Sequence, residues 1–251
     1  MEVHAHTHTA RKKWTHYLWE FLMLFLAVFC GFLAENKREH YIEHQREKQY
    51  AQSLYDDLKK DTFVLQRTYD EKNWIQAKFD SAEKILASNE MSGNNEFIYY
   101  VERYVTNNDV FTSQDVTYQQ LRSSGNFRYF KNITLYKKIA EYYNLYLRYQ
   151  SIDGSFGVID KNEMSEIESK IFNPRDLTSL DNYHATNFYD LVLPSERKLE
   201  HITADGQMLK LLYIKVANAK YRSASAKVFL VWLKANATDI MNELRKEYHL
   251  K

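Results

Sequence analysis

Hydrophobic and polar positions divide the chain into three regimes. Residues 21–34 are apolar and carry no charge. Residues 35–49 read ENKREHYIEHQREKQ and are polar almost all round. From Ala51 onward, apolar residues recur at helical spacing. The recurrence runs Ala51, Leu54, Leu58, Leu65, Thr68, Ile75, Phe79, Ala82 and Leu86, in steps of three and four with gaps at Asp61 and Lys72. That spacing predicts one amphipathic helix ending near residues 87–93, continuing directly from the apolar run and the polar stretch. The gaps in the seam favour packing within its own domain over a free coiled coil.

Shorter elements follow. Residues 94–105 read as a second helix and 107–112 as a loop. A third helix runs from Ser113, its expected cap, to Gly125, whose lack of a Cβ suits a left-handed close. Asn132 is placed to cap a long helix carrying Ile139, Tyr142, Tyr143, Tyr146 and Tyr149 along one face. Gly154 and Gly157 are expected to interrupt it before a segment at 158–172, and Asn173-Pro174 opens a loop to Pro194-Ser195. The last helical region starts at Ser195 and is expected to break at Asp205-Gly206. Its stripe comprises Leu209, Leu212, Val216, Ala219, Val228, Leu230, Val231 and Leu233. No segment shows strand periodicity, so the expected fold class is all-α.

The apolar run raises a topological question. Residues 21–34 span about 21 Å as a helix, short of a ~30 Å hydrocarbon core, and Tyr17, Leu18 and Trp19 bring it close to full length. A cleavable signal needs a small-x-small site and a break in helix pattern, and residues 31–34 (Gly-Phe-Leu-Ala) match that poorly. The expectation is an uncleaved single-pass anchor, weighed against a buried helix of a soluble domain. The expected organisation is a cytoplasmic tail at 1–13, a transmembrane helix at 14–35, a polar helical stalk at 36–50 and an extramembrane helical bundle at 51–251. Glu35/Arg38 and Glu43/Arg46 are placed to support the stalk as i,i+3 pairs. Arg11, Lys12 and Lys13 cluster before the span, whereas Lys37, Arg38, Arg46 and Lys48 are spread after it. The clustering places the N-terminus inside the cytoplasmic (inner) membrane and the C-terminal domain in the periplasm.

Composition sharpens this picture. Lys+Arg 34 against Asp+Glu 33 leaves no basic field for nucleic acid and no acidic solvating tail. Gly 6 and Pro 2 are few for 251 residues and favour long helices, while Tyr 20 and Phe 14 supply an ordered aromatic core. The single cysteine, Cys30, lies in the apolar run and cannot form an internal disulfide.

Candidate chemistry is sparse. Trp14, Tyr17 and Trp19 suit an interfacial belt, to which Glu20 can snorkel. Alternatively Glu20 shares a face with Ala27, Gly31 and Ala34, where small residues admit a close neighbouring helix and a carboxylate points away from lipid. His40-Tyr-Ile-Glu43-His44 fits the H-x-x-E-H pattern of inverted zinc peptidases, with two histidines on one helix face and a glutamate as base. It sits in a charged stalk with no apolar wall and no nominated third ligand, so neither a metal nor a cofactor is expected. His4, His6 and His8 suit a polar tail better than a metal tract. Asp56, Asp57, Asp181 and Asp190 read as solvated surface, and His184 and His201 have no local partner. The tyrosine stripe is expected to pack in the core, in preference to lining a ligand groove. No phosphate loop, dinucleotide fingerprint or serine elbow is present.

The order of pieces resembles a family of short single-pass membrane proteins of unknown activity, widespread in Bacteroidetes. The matching residues are Glu20 before 21–34, then Tyr118-Gln-Gln-Leu121-Arg-Ser-Ser124-Gly125-Asn126, then Ile139-Ala-Glu-Tyr142-Tyr143. The resemblance covers roughly residues 17–150. Trp19 departs from it, as do residues 35–39 (Glu-Asn-Lys-Arg-Glu). It implies topology and brings no mechanism.

The resulting expectation is a non-enzymatic, membrane-anchored interaction module. It would serve as a scaffold or accessory subunit partnered by the lipid bilayer and by another membrane protein or a second copy. A ligand-sensing domain is the alternative; with a tail of about 13 residues it would signal through a membrane partner. A zinc peptidase using His40, Glu43 and His44 comes third.

Overall fold

The computed structural model describes residues 14–88, 93–102, 110–172 and 206–250. Expectations for His4, His6, His8, Asp181, His184, Asp190, His201 and the 173–205 loop fall outside these residues. The described residues build an all-α protein whose long first helix packs, through residues 51–88, on a C-terminal helical bundle. Two compact units are formed, Met1–Tyr50 and Ala51–Lys251. Helix α1, Trp14–Ser88, contributes to both.

Within the first unit, every residue from 14 to 41 is exposed. The apolar run therefore faces outward on all sides, and α1 is long and apolar enough to cross a membrane. Phe21, Phe25 and Phe29 stack one turn apart, with centroids 6.3 and 5.9 Å from each other in sequence. Glu35 takes a forked pair of bonds from Arg38 at 2.6 and 2.9 Å.

The second unit is organised by heptad seams. On α1 the buried positions include Ala51, Leu54, Leu58, Asp61, Leu65, Thr68, Lys72, Ile75, Phe79, Ala82 and Leu86, an unbroken alternation of three and four, with Glu47, Tyr55 and Glu71 buried outside it. The sequence gaps at Asp61 and Lys72 are thus inward-facing positions. The remaining elements are α2 (Asn95–Tyr100), α3 (Val116–Ser124), a 3₁₀ turn (Asn126–Tyr129), α4 (Ile133–Tyr149), a π-helical turn (Gln150–Ser155), α5 (Phe156–Ile171) and α6 (Gly206–Tyr248). α6 has its own unbroken seam: Leu209, Leu212, Val216, Ala219, Ser223, Ala226, Leu230, Leu233, Ala237, Ile240 and Leu244.

Polar cross-links give the directions. Arg245 meets Tyr55, Lys234 meets Gln66 at 2.5 Å, Lys227 meets Gln76 at 2.8 Å, and Lys220 meets Asp80 at 2.6 Å and Glu83 at 2.5 Å. Partners rise along α1 as they fall along α6, so these helices are antiparallel. Asn132–Glu247 (2.6 Å), Lys138–Asp239 (2.7 Å) and Lys215–Glu163 make α4 and α5 antiparallel to α6 as well. A three-helix bundle of α1, α4–α5 and α6 results, with heptad packing at its centre. Toward one end, Ile75, Phe79, Ala82 and Leu86 join α2, α5 and the start of α6 in a core that includes Tyr99, Met164, Ile167, Ile171, Leu209 and Leu212.

Several local expectations hold. Asn132 accepts from Leu135 N at 3.1 Å and caps α4, and Gly125 closes α3 at φ 68°. Ile139, Tyr142, Tyr143, Tyr146 and Tyr149 are all buried.

Others require correction. Ser113 does not cap α3, which starts at Val116, because the Asp61 carboxylate takes its hydroxyl. Gly154 lies in the π turn that interrupts the α-helix after Tyr149, as expected, whereas Gly157 falls inside α5 and does not break it. The second helix is Asn95–Tyr100, its turn carried on through 101–102; the rest of the expected 94–105 helix falls outside the described residues. Val228 and Val231 are exposed, because the α6 seam runs through Ala226, Leu230 and Leu233 and places both valines off it.

Candidate functional site

The chemistry of the second unit lies in two buried polar layers along the α1–α4 seam. Both span the same sequence separation, 81 residues, so α1 and α4 run parallel.

The first layer centres on Asp61, which is 1% exposed. Its Oδ2 accepts from Ser113 Oγ at 2.5 Å and Tyr142 Oη at 2.7 Å, and its Oδ1 accepts from Gln114 N at 2.8 Å. Among the described residues no cation pairs with it. Burial pushes the Asp61 carboxyl above its usual range; the three hydrogen bonds oppose that shift, and neighbouring Asp57 adds to it. One turn away, Asp57 accepts from Thr117 Oγ1 at 2.5 Å. The expectation that Asp57 is plain solvated surface is therefore corrected: it anchors the first turn of α3.

The second layer is an ion pair. Lys72 Nζ lies 2.8 and 3.0 Å from the two Asp153 oxygens, with the side chains 1% and 2% exposed. Tyr149 Oη donates to Asp153 Oδ2 at 2.7 Å and accepts from Phe111 N at 3.0 Å. The π turn carries Asp153, and π turns recur where a helix must present a group that a regular turn would misplace. Arg222 of α6 is also buried. Burial disfavours its charge and Asp153 favours it. A Cβ at Gly157 would stand 3.9 Å from Arg222 Nε, an ordinary contact. At the α6 seam, Ser223 Oγ is buried with no hydrogen-bond partner among the described residues.

The tyrosine stripe is a polar-tipped core. Tyr142 and Tyr149 bond the two aspartates, Tyr143 Oη donates to Gln114 O at 3.3 Å, and Gln150 Nε2 donates to Tyr146 Oη at 2.5 Å. Tyr118 stacks on Tyr143 with centroids 3.9 Å apart. Burial, reinforced by nearby carboxylates, pushes the Tyr142, Tyr143 and Tyr149 phenols above their ordinary range. They act as neutral donors and not as bases.

Residues singled out from sequence lie elsewhere. Trp14, Tyr17, Trp19, Glu20, Ala27, Gly31 and Ala34 are all on the exposed part of α1. Helical spacing brings Glu20, Ala27, Gly31 and Ala34 to one face, and a Cβ at Gly31 would meet nothing within 4 Å. Glu20 has a local partner, His16, at 3.4 Å one turn earlier. The H-x-x-E-H residues pair along the helix: His40 with Glu43 at 3.5 Å, and His44 with Glu47 at 3.4 Å. Among the described residues no three potential metal ligands converge. Asp61, Lys72, Asp153 and Arg222 were not nominated from sequence. For the first two the signal was present, since the alternation of three and four runs straight through them.

On the outside, α1 and α6 border a groove of about 550 Å³, lined among others by Leu65, Tyr69, Leu230, Val231, Ala235 and Thr238. Comparison with protein-family models, curated proteins and solved structures finds no match to the chain.

Proposed function

We propose that the chain is a single-pass, membrane-anchored helical interaction module with no enzymatic role. It serves as a scaffold or accessory subunit that holds its helical domain on the periplasmic side of the inner membrane. The observation that carries this reading is the uncharged run at 21–34, exposed on every side of α1. Burying such a surface in hydrocarbon is favourable, and the helix satisfies its own backbone there. A supporting observation is that the domain's buried tyrosines and aspartates are hydrogen-bonded to one another, which leaves its outer surface as the part available to a partner.

The test is fractionation of the full chain after alkaline carbonate washing. Retention in the membrane pellet is expected, and release into the supernatant refutes the anchor. Oxidative crosslinking at Cys30 in native membranes then asks whether the Ala27/Gly31/Ala34 side meets a second copy. A monomer with no crosslink removes the self-association arm and leaves a different membrane partner.

A ligand-sensing role acting through a membrane partner is the second reading, favoured by the α1–α6 groove. It requires a small molecule whose thermal stabilisation of the protein disappears in Ala235→Trp, which fills the groove.

A further inference from the structure

Residues 110–115 are the described non-helical connection before α3, and polar groups from other helices hold them at four points. Phe111 N donates to Tyr149 Oη, Gln114 N and Ser113 Oγ donate to Asp61, and Gln114 O accepts from Tyr143. Thr117, just beyond, donates to Asp57. Apolar anchorage is concentrated in Phe111, which is 1% exposed and rests edge-on against Tyr146 (5.6 Å) and tilted against Tyr149 (6.0 Å).

One of these points is the end of a relay. Lys72 on α1 pairs with Asp153 in the π turn, Asp153 accepts from Tyr149, and Tyr149 accepts from the Phe111 amide. We infer that residues 110–115 form a strap across the α1–α4 seam, latched by the Lys72–Asp153–Tyr149 relay and, independently, by Asp61. The chemical logic is directional. Lys72 fixes Asp153, Asp153 accepts the Tyr149 hydrogen bond, and the phenol oxygen is thereby open to Phe111 N–H. Without Lys72, Asp153 loses the ammonium that fixes both of its oxygens, and Tyr149 is no longer held where its oxygen meets Phe111 N–H. Loss of a contact on α1 therefore loosens a backbone amide on the strap. Release withdraws Phe111 from its aromatic seat and bares the apolar seam beneath. The coupling follows a contiguous chain of hydrogen bonds, which is a physical warrant that mutation can test.

The experiment is residue-resolved amide hydrogen exchange on the full chain in lipid nanodiscs. Rates at Phe111 and Gln114 are read against the Leu230 and Leu233 amides, which report global opening. Tyr149→Phe is expected to speed exchange at Phe111 at least tenfold over the global change while leaving Gln114, held by Asp61, near its original rate. Lys72→Met is expected to produce the same signature, Lys72→Arg to restore protection, and Lys72→Met/Tyr149→Phe to exceed Tyr149→Phe alone by less than twofold. Equal changes at Phe111 and Gln114 would overturn the latch, and multiplicative effects in the double variant would overturn the relay. If Lys72→Met does not fold, Asp153→Asn takes its place. An unchanged Phe111 rate in Tyr149→Phe overturns the inference in any case.

Discussion

Breaking the Lys72–Asp153 pair from either side should be costly, and the two sides should differ. A buried ion pair that loses one partner leaves a charge in a medium that cannot solvate it, and the penalty is typically ~3–5 kcal/mol. Lys72→Met strands Asp153, which retains the Tyr149 hydrogen bond at 2.7 Å and the favourable field of Arg222. That places it near the low end, about 3 kcal/mol. Asp153→Leu removes an anion whose field favours the charge on buried Arg222, and it takes from buried Lys72 the carboxylate 2.8 Å away. It also deprives Tyr149 of its acceptor, so about 5 kcal/mol is expected. The double variant Lys72→Met/Asp153→Leu should recover most of the loss without becoming neutral, because Arg222 and the Tyr149 hydroxyl remain. For a domain of this size, ~2–4 °C of Tm corresponds to 1 kcal/mol. The singles should therefore fall by ~6–12 °C and ~10–20 °C, read by near-ultraviolet circular dichroism of the tyrosine-rich domain in detergent. A cost below about 1 kcal/mol for Lys72→Met, the range of a solvent-screened pair, would refute the placement of this pair in the interior. Equal costs for the two singles would refute the role given to Arg222.

Other predictions concern single positions. Because the folded Asp61 carboxyl is raised by burial, the folded state holds that proton more tightly than the unfolded state does. Its stabilising contribution is complete below the ordinary carboxylate pKa of about 4 and is lost as pH rises through the raised value. Asp61→Asn should flatten that stretch of the stability–pH curve, checked by urea midpoints at stepped pH; an unaltered curve contradicts the assignment. Ser113→Ala removes one of three donors to a buried carboxylate and should cost about 1–3 kcal/mol by the same measurement. Gly125→Ala meets no steric neighbour but must hold φ near 68°, so a loss of about 1–2 kcal/mol is expected from backbone strain alone. Ser223→Ala deletes a buried hydroxyl with no partner among the described residues and should stabilise the domain by about 1 kcal/mol, seen as a higher Tm.

What the chain determined by itself is everything set by neighbours within a turn or two. The scarcity of Gly and Pro, the uncharged run at 21–34, the Asn132 cap, the left-handed Gly125 and the buried tyrosine face of α4 all follow from local chemistry. Each was legible before the fold was known. The alternation of three and four on α1 also marked Asp61 and Lys72 as seam positions, but their polarity made them read as gaps. Only the tertiary structure decided otherwise. It brings Tyr142 to Asp61 and Asp153 to Lys72 across 81 residues, and a spacing that long leaves no periodic trace in sequence. The same holds for Ser113, whose hydroxyl turned from a cap to a carboxylate on another helix, and for Val228 and Val231, apolar by identity yet outward by phase. Periodicity tells a helix which face is inside. The partner waiting there is chosen by packing, because a buried carboxylate or ammonium is tolerable only where another helix supplies its hydrogen bonds or its counter-charge.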